Sequence, residues 1–149
     1  SPKVSTYDLK PEMSAKLIEK KLASVVQKNS YDVVIANFAN PDMVGHTGNL
    51  EAATMACEVV DRCLDLIVNE ALKKNYVSIV LADHGNCEKM LNSDGSPNTA
   101  HTTNPVPIIL VDEKKREISS GILADIAPTI LDIMGIKQPK EMNGKSLLK

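Results

Sequence analysis

Three short, largely apolar runs constrain the fold of this chain more than any other feature of its sequence. The runs are Tyr31–Phe38, Tyr76–Ala82 and Pro107–Val111, and each is rich in β-branched residues. Strands that are apolar on both faces are typical of a parallel sheet that helices cover on both sides. Stretches with helical spacing lie between the runs, so the sequence predicts an α/β domain of three αβα layers with a mostly parallel sheet.

Helical periodicity is clearest in two segments. The first runs from Ser14 to Lys28, with Ser14 as the predicted N-cap. The second runs from Leu50 to Lys74 and carries one continuous apolar stripe. A shorter helix is predicted from Leu123 to Met134, and it should end at Gly135.

Composition and charge exclude several classes of protein. The 149 residues suffice for one domain or part of one, and the formal net charge of −2 favours neither nucleic acid nor an anionic membrane as a partner. We expect no membrane interaction, because no apolar run of membrane length and no apolar leader is present. The three cysteines form no CxxC pair, which indicates a reducing, cytoplasmic compartment.

All three histidines lie close to an aspartate or a tight turn. Asp42 and His46 are four residues apart, Asp83 and His84 are adjacent, and His101 lies in a polar loop. Carboxylate oxygens and imidazole nitrogens together suit Mn²⁺ or Zn²⁺. Five such side chains are more than one ion usually takes, so they favour a pair of ions of the kind that catalyses phosphoryl transfer.

The predicted sheet should bring these side chains together. In α/β sheets, ligands bind beyond the carboxyl ends of the strands. Asp42 and His46 follow the first apolar run, and Asp83 and His84 follow the second. His101 precedes the third run, so we expect its loop to fold back over the same end of the sheet.

Each group also has a simpler interpretation. The segment Asp83–Asn86 could be an Asx turn that ends a strand and leaves His84 exposed. Asp42 and His46 could be solvated loop residues, unless the loop begins a helical turn that places both on one face. An isolated loop histidine such as His101 is usually just exposed. The metal interpretation gains weight because every histidine of the chain belongs to the set.

Three longer segments resemble one known family. Asn37–Gly48, Ala82–Asn86 and Thr99–Pro107 are similar to cofactor-independent phosphoglycerate mutases, which belong to the alkaline phosphatase superfamily. The similarity covers essentially the whole chain, from Ser1 to the Gly144–Ser146 segment, except that Cys87 stands where a small residue such as Ala is expected.

The resemblance implies a specific chemistry. Members of the family interconvert 3-phosphoglycerate and 2-phosphoglycerate in glycolysis through a phosphoserine intermediate, with two Mn²⁺ ions (Zn²⁺ and Co²⁺ are alternatives). Asp42, His46 and His101 match the ligands of the first ion, and Asp83 and His84 match two ligands of the second. In the family, a further Asp and the nucleophilic Ser complete the second site from a segment near the N-terminus, and an inserted domain binds phosphoglycerate.

The resemblance therefore predicts that residues 1–149 are the C-terminal part of the metal-binding, phosphatase-like domain. We expect no catalytic nucleophile in this chain, no mutase activity of the chain alone, and self-association through an exposed sheet edge. Two other interpretations stay open: a part of a phosphopentomutase or of a metal-dependent phosphatase, and a non-catalytic interaction domain whose histidines are incidental.

Overall fold

The computed structural model describes all 149 residues. Four helices and two strands form its regular structure, together with single 3₁₀ turns at Tyr7–Leu9 and Leu123–Asp125. The elements are α1 (Ala15–Lys28), α2 (Asn40–Gly45), α3 (Leu50–Leu72), β1 (Ser78–Leu81), β2 (Ile108–Val111) and α4 (Ile126–Ile133). None of the helices has the length and apolarity that crossing a membrane requires.

The three predicted helices are present with nearly the predicted bounds. Helix α1 follows Ser14, although the Ser14 side chain makes no capping hydrogen bond. Helix α3 is capped by Asn49, whose side chain accepts a hydrogen bond from the backbone N–H of Ala52 at 3.1 Å. The segment predicted as the last helix begins as a 3₁₀ turn and continues as α4, which ends before Gly135 at a positive φ of 68°.

A small aliphatic core fixes α2 against the N-terminal half of α3. Val44 of α2 is fully buried, and it clusters with Met90 and with three alanines of α3, namely Ala52, Ala53 and Ala56. Because alanine side chains are short, they let the two helix backbones approach closely. This core holds α2 in a fixed position, and α2 carries Asp42.

The sheet consists of β1 and β2, which pair antiparallel with Ser78 opposite Val111 and Leu81 opposite Ile108. The parallel direction predicted for these strands is therefore wrong within this chain. Parallel neighbours need a crossover connection, usually a helix. The 26 residues that join β1 to β2, from 82 to 107, contain no helix, and an antiparallel return is then the accessible pairing.

The strand predicted for the first apolar run is also wrong. Tyr31–Phe38 forms no strand; it is irregular in structure and mostly exposed, with Ile35 at 86% exposure. Its sequence has the composition of a strand, but a strand also needs a partner for its backbone groups, and neither β1 nor β2 pairs with it. At its start, the Tyr76 hydroxyl donates a hydrogen bond to the Tyr31 carbonyl at 2.6 Å.

Candidate metal centre

Helix α2 places Asp42 and His46 on one face. Asp42 lies in its first turn and His46 is the C-cap residue, with the His46 N–H donating to the Asp42 carbonyl at 3.1 Å. The helical turn that the sequence analysis required, if Asp42 and His46 are to bind one ion, is thus present. His46 Nε2 lies 3.2 Å from Asp42 Oδ1.

His101 reaches the same point from the long loop between β1 and β2. Its Nε2 atom lies 3.0 Å from Asp42 Oδ1 and 3.0 Å from His46 Nε2. The three donor atoms therefore form a nearly equilateral triangle. All three side chains remain partly exposed, so the triangle can be reached from solvent.

The triangle fits a divalent cation. Around a tetrahedral ion with ligands at about 2.0–2.1 Å, neighbouring donor atoms are about 3.3–3.4 Å apart, close to the separations of 3.0–3.2 Å found here. Two imidazole nitrogens and one carboxylate oxygen form a donor set that Mn²⁺, Co²⁺ and Zn²⁺ accept. Three protein ligands also leave a position for water or a phosphoryl oxygen.

Two further residues orient His46 and Asp42, and their roles were not predicted from the sequence. The Thr99 carbonyl lies 2.7 Å from His46 Nδ1. A carbonyl can only accept, so Nδ1 carries the hydrogen and Nε2 of the neutral ring keeps its lone pair for a cation. Asn86 Nδ2 donates to Asp42 Oδ1 at 2.7 Å and holds that carboxylate toward both imidazoles.

Gly45 makes the approach of Asn86 possible. A Cβ at position 45 would overlap Asn86 Oδ1 and would lie 3.0 Å from Cys87 Sγ. Asn86 is itself buried, and its Oδ1 has no hydrogen-bond partner. Any side chain at position 45 would therefore push Asn86 away from Asp42.

We predict that Asn86→Ala lowers the affinity of the chain for Co²⁺ by about 10- to 100-fold, because hydrogen bonds that orient metal ligands typically have effects of this size. A titration followed by visible absorption measures the change. Asn69→Ala is the matched control, since Asn69 is exposed on α3 and its side chain bonds only Asp65. Equal affinities in the Asn86 and Asn69 variants would contradict the role of Asn86.

Asp83 and His84 lie beside this triangle but do not complete a second one. His84 Nε2 is 3.6 Å from Asp83 Oδ1, and the Asp83 side chain is 83% exposed. The imidazole ring of His84 stacks on that of His101 with centroids 3.8 Å apart. The two groups of predicted ligands are therefore neighbours, although only the first includes three ligand-type side chains within reach of one ion.

An open cleft of about 490 Å³ adjoins Asp83 and His84. The end of β1 with the turn that follows it (81–84), the segment 102–108 that leads into β2, and the segment 120–123 contribute most of its walls. No lysine or arginine lines it, and arginine is the side chain that binds phosphate by two parallel hydrogen bonds. The cleft therefore offers space beside Asp83 and His84 but neither a lysine nor an arginine to bind a phosphate group.

Comparison with known proteins places the chain in a family. The sequence profile of the Metalloenzyme superfamily matches residues 1–138, and the chain belongs to that superfamily. Among curated relatives, the 2,3-bisphosphoglycerate-independent phosphoglycerate mutase of Flavobacterium johnsoniae is 60% identical over 148 residues, and that of Bacteroides thetaiotaomicron is 51% identical over 150 residues. The chain spans 29% and 30% of the length of these two relatives, respectively.

The fold has a close counterpart among solved structures. A phosphoglycerate mutase of Leishmania mexicana, crystallised at low cobalt concentration, superposes with a TM-score of 0.89 at 30% identity. The match covers 100% of this chain and 30% of that protein. These comparisons confirm the resemblance found in the motifs and the α/β, phosphatase-like class of the fold.

Proposed function

We propose that residues 1–149 are the metal-binding part of a phosphoglycerate mutase that interconverts 3-phosphoglycerate and 2-phosphoglycerate through a phosphoserine intermediate. The observation that carries the proposal is the triangle of Asp42, His46 and His101, in a chain that is similar over its whole length to curated mutases. The intact protein then acts in glycolysis and in the cytoplasm.

The proposed cofactors are two divalent cations, with Mn²⁺ preferred and Zn²⁺ or Co²⁺ as alternatives. Asp42, His46 and His101 would hold the first, and Asp83 and His84 would contribute to the second. Such ions stabilise the negative charge of the attacking and leaving oxygens during phosphoryl transfer. Within this chain, Thr99 orients His46 and Asn86 orients Asp42.

The remaining parts of the catalytic machinery belong, in this proposal, to segments of the intact protein outside these 149 residues. They include the nucleophilic serine, the other ligands of the second ion and the arginines that bind phosphoglycerate. Two observations support this division: the chain spans only 29–30% of its curated relatives, and no lysine or arginine lines the cleft beside His84.

The isolated chain is proposed to associate with copies of itself. The exposed apolar segment Tyr31–Phe38 and the exposed side chains Leu81 and Ile109 of the sheet support this proposal, because they leave apolar surface and unpaired strand edges in contact with water.

The purified chain should not interconvert the two phosphoglycerates, because a phosphoserine route needs an activated hydroxyl next to the metal ions. A coupled enolase assay on the chain and on the intact protein tests the proposal, with the intact His84→Ala variant as the control for loss of activity. Turnover by the 149-residue chain above the background of its own His84→Ala variant would contradict it.

Activity assays on the intact protein distinguish the proposed function from the alternative enzymes. A phosphopentomutase would convert ribose 1-phosphate rather than phosphoglycerate, and a phosphatase would release inorganic phosphate. A non-catalytic interaction domain would hold no stoichiometric metal, so elemental analysis of the purified chain distinguishes that alternative directly.

A further inference from the structure

Glu88 is an exposed acidic residue that forms no salt bridge, but its carboxylate receives three hydrogen bonds. Oε2 accepts from the backbone N–H of Asn86 at 2.6 Å. Oε1 accepts from the hydroxyl of Thr102 and from Asn104 Nδ2, the latter at 2.9 Å. The hydrogen bond from Thr102 holds the pKa of the Glu88 carboxyl below its usual range, so the side chain is ionised at neutral pH.

These three donors lie on two different segments. Asn86 belongs to the turn that follows β1, and Thr102 and Asn104 belong to the loop that carries His101. The backbones of the two segments also meet, since the Thr102 N–H donates to the Gly85 carbonyl at 2.9 Å. A Cβ at Gly85 would overlap Thr102 Oγ1 and Glu88 Oε1, so the junction closes tightly only around glycine.

Three residues of this junction are adjacent to a candidate ligand or contact one. Gly85 follows His84, Thr102 follows His101, and Asn86 holds the carboxylate of Asp42. The stacked rings of His84 and His101 lie where the two segments meet. The relative position of the two groups of ligands therefore depends on the contact between these segments.

We infer that Glu88 is a positioning residue that joins the turn after β1 to the loop of His101 and so sets the distance between the two metal sites. This inference rests on the proposed metal-binding function. Charge-assisted hydrogen bonds are stronger than neutral ones, and one carboxylate that accepts three of them can fix two loops that have no regular secondary structure to hold them.

The first test needs no metal. Hydrogen exchange of the Thr102 amide reports whether the two segments stay joined, and ring-current shifts of the imidazole protons report the stacking of His84 on His101. Glu88→Ala should accelerate exchange at Thr102 by about tenfold or more and change both sets of ring shifts. Glu88→Gln, which keeps one acceptor oxygen, should lie between. Glu113→Ala is the control, because the exposed Glu113 carboxylate makes no side-chain hydrogen bond.

The second test measures Co²⁺ affinity in the same four proteins. Glu88→Ala should weaken binding by about 10- to 100-fold, Glu88→Gln should weaken it less, and Glu113→Ala should bind like the wild type. Wild-type exchange and ring shifts in Glu88→Ala would overturn the inference, and so would loosened loops with unchanged Co²⁺ affinity. A wild-type chain that binds no Co²⁺ would instead count against the proposed function, while the exchange data would still decide whether Glu88 joins the loops.

Discussion

Replacing His46 with alanine should remove most of the divalent-cation affinity of this chain, by more than about a hundredfold. The three donor atoms of the proposed first site come from only two segments, α2 and the loop of His101, and their separations already suit one ion. Because loss of an orienting hydrogen bond alone weakens metal sites by about 10- to 100-fold, loss of a ligand should weaken this one further.

Calorimetric titration with Mn²⁺ and with Zn²⁺ measures the effect. Asp42→Asn should be similarly impaired, since it keeps the shape of the side chain but removes the charge that two imidazoles face. Asp61→Asn is the matched control, because Asp61 is exposed on α3 and distant in sequence from the ligands. Circular dichroism establishes that each variant is folded. Equal binding by the wild type and His46→Ala would exclude Asp42, His46 and His101 as a metal site.

The part of this site that could be predicted from sequence is the part built on local geometry. Asp42 and His46 are four residues apart, and one helical turn is enough to bring them together. The approach of His101 required the additional premise that its loop folds back over the end of β1. The sequence supports this premise only indirectly, because all three histidines belong to the same set of candidate metal ligands.

The contacts that orient the ligands were not predictable in the same way. Thr99, Asn86 and Glu88 act through distances set by the packing of separate segments, and nothing in their local sequence distinguishes them from ordinary polar loop residues. The requirement for glycine at position 45 was not predictable either. It arises from Asn86, which lies 41 residues further along the chain and would overlap a Cβ at position 45.

For the strands, local composition was informative but not sufficient. Apolar, β-branched composition predicted β1 and β2 correctly, and it predicted a strand at Tyr31–Phe38 that does not form. Composition reports that a segment suits a sheet, whereas pairing and direction depend on which neighbours are present. The antiparallel pairing of β1 with β2 likewise follows from the connection between them rather than from the strands themselves.

The unpaired segment Tyr31–Phe38 leads to a second prediction, which concerns the oligomeric state of the purified chain. Its weight-average mass should rise with concentration, because Tyr31–Phe38 exposes apolar side chains and backbone groups that no strand of this chain covers. Burying one isoleucine of the size of Ile35 is worth about 1.5–3 kcal/mol, which corresponds to about 10- to 150-fold in an association constant.

Ile35→Lys should therefore weaken self-association by about tenfold or more, both by removing that apolar area and by placing a charge on the strand edge. Leu17→Lys is the matched control: Leu17 is 71% exposed, but it lies on α1, whose backbone groups are already paired within the helix. Sedimentation and light scattering over a concentration series, with binding of a hydrophobic dye, measure the difference. A wild-type chain that stays monomeric at high concentration and binds no dye would mean that Tyr31–Phe38 needs no partner, and the argument from its exposed apolar surface would then fail.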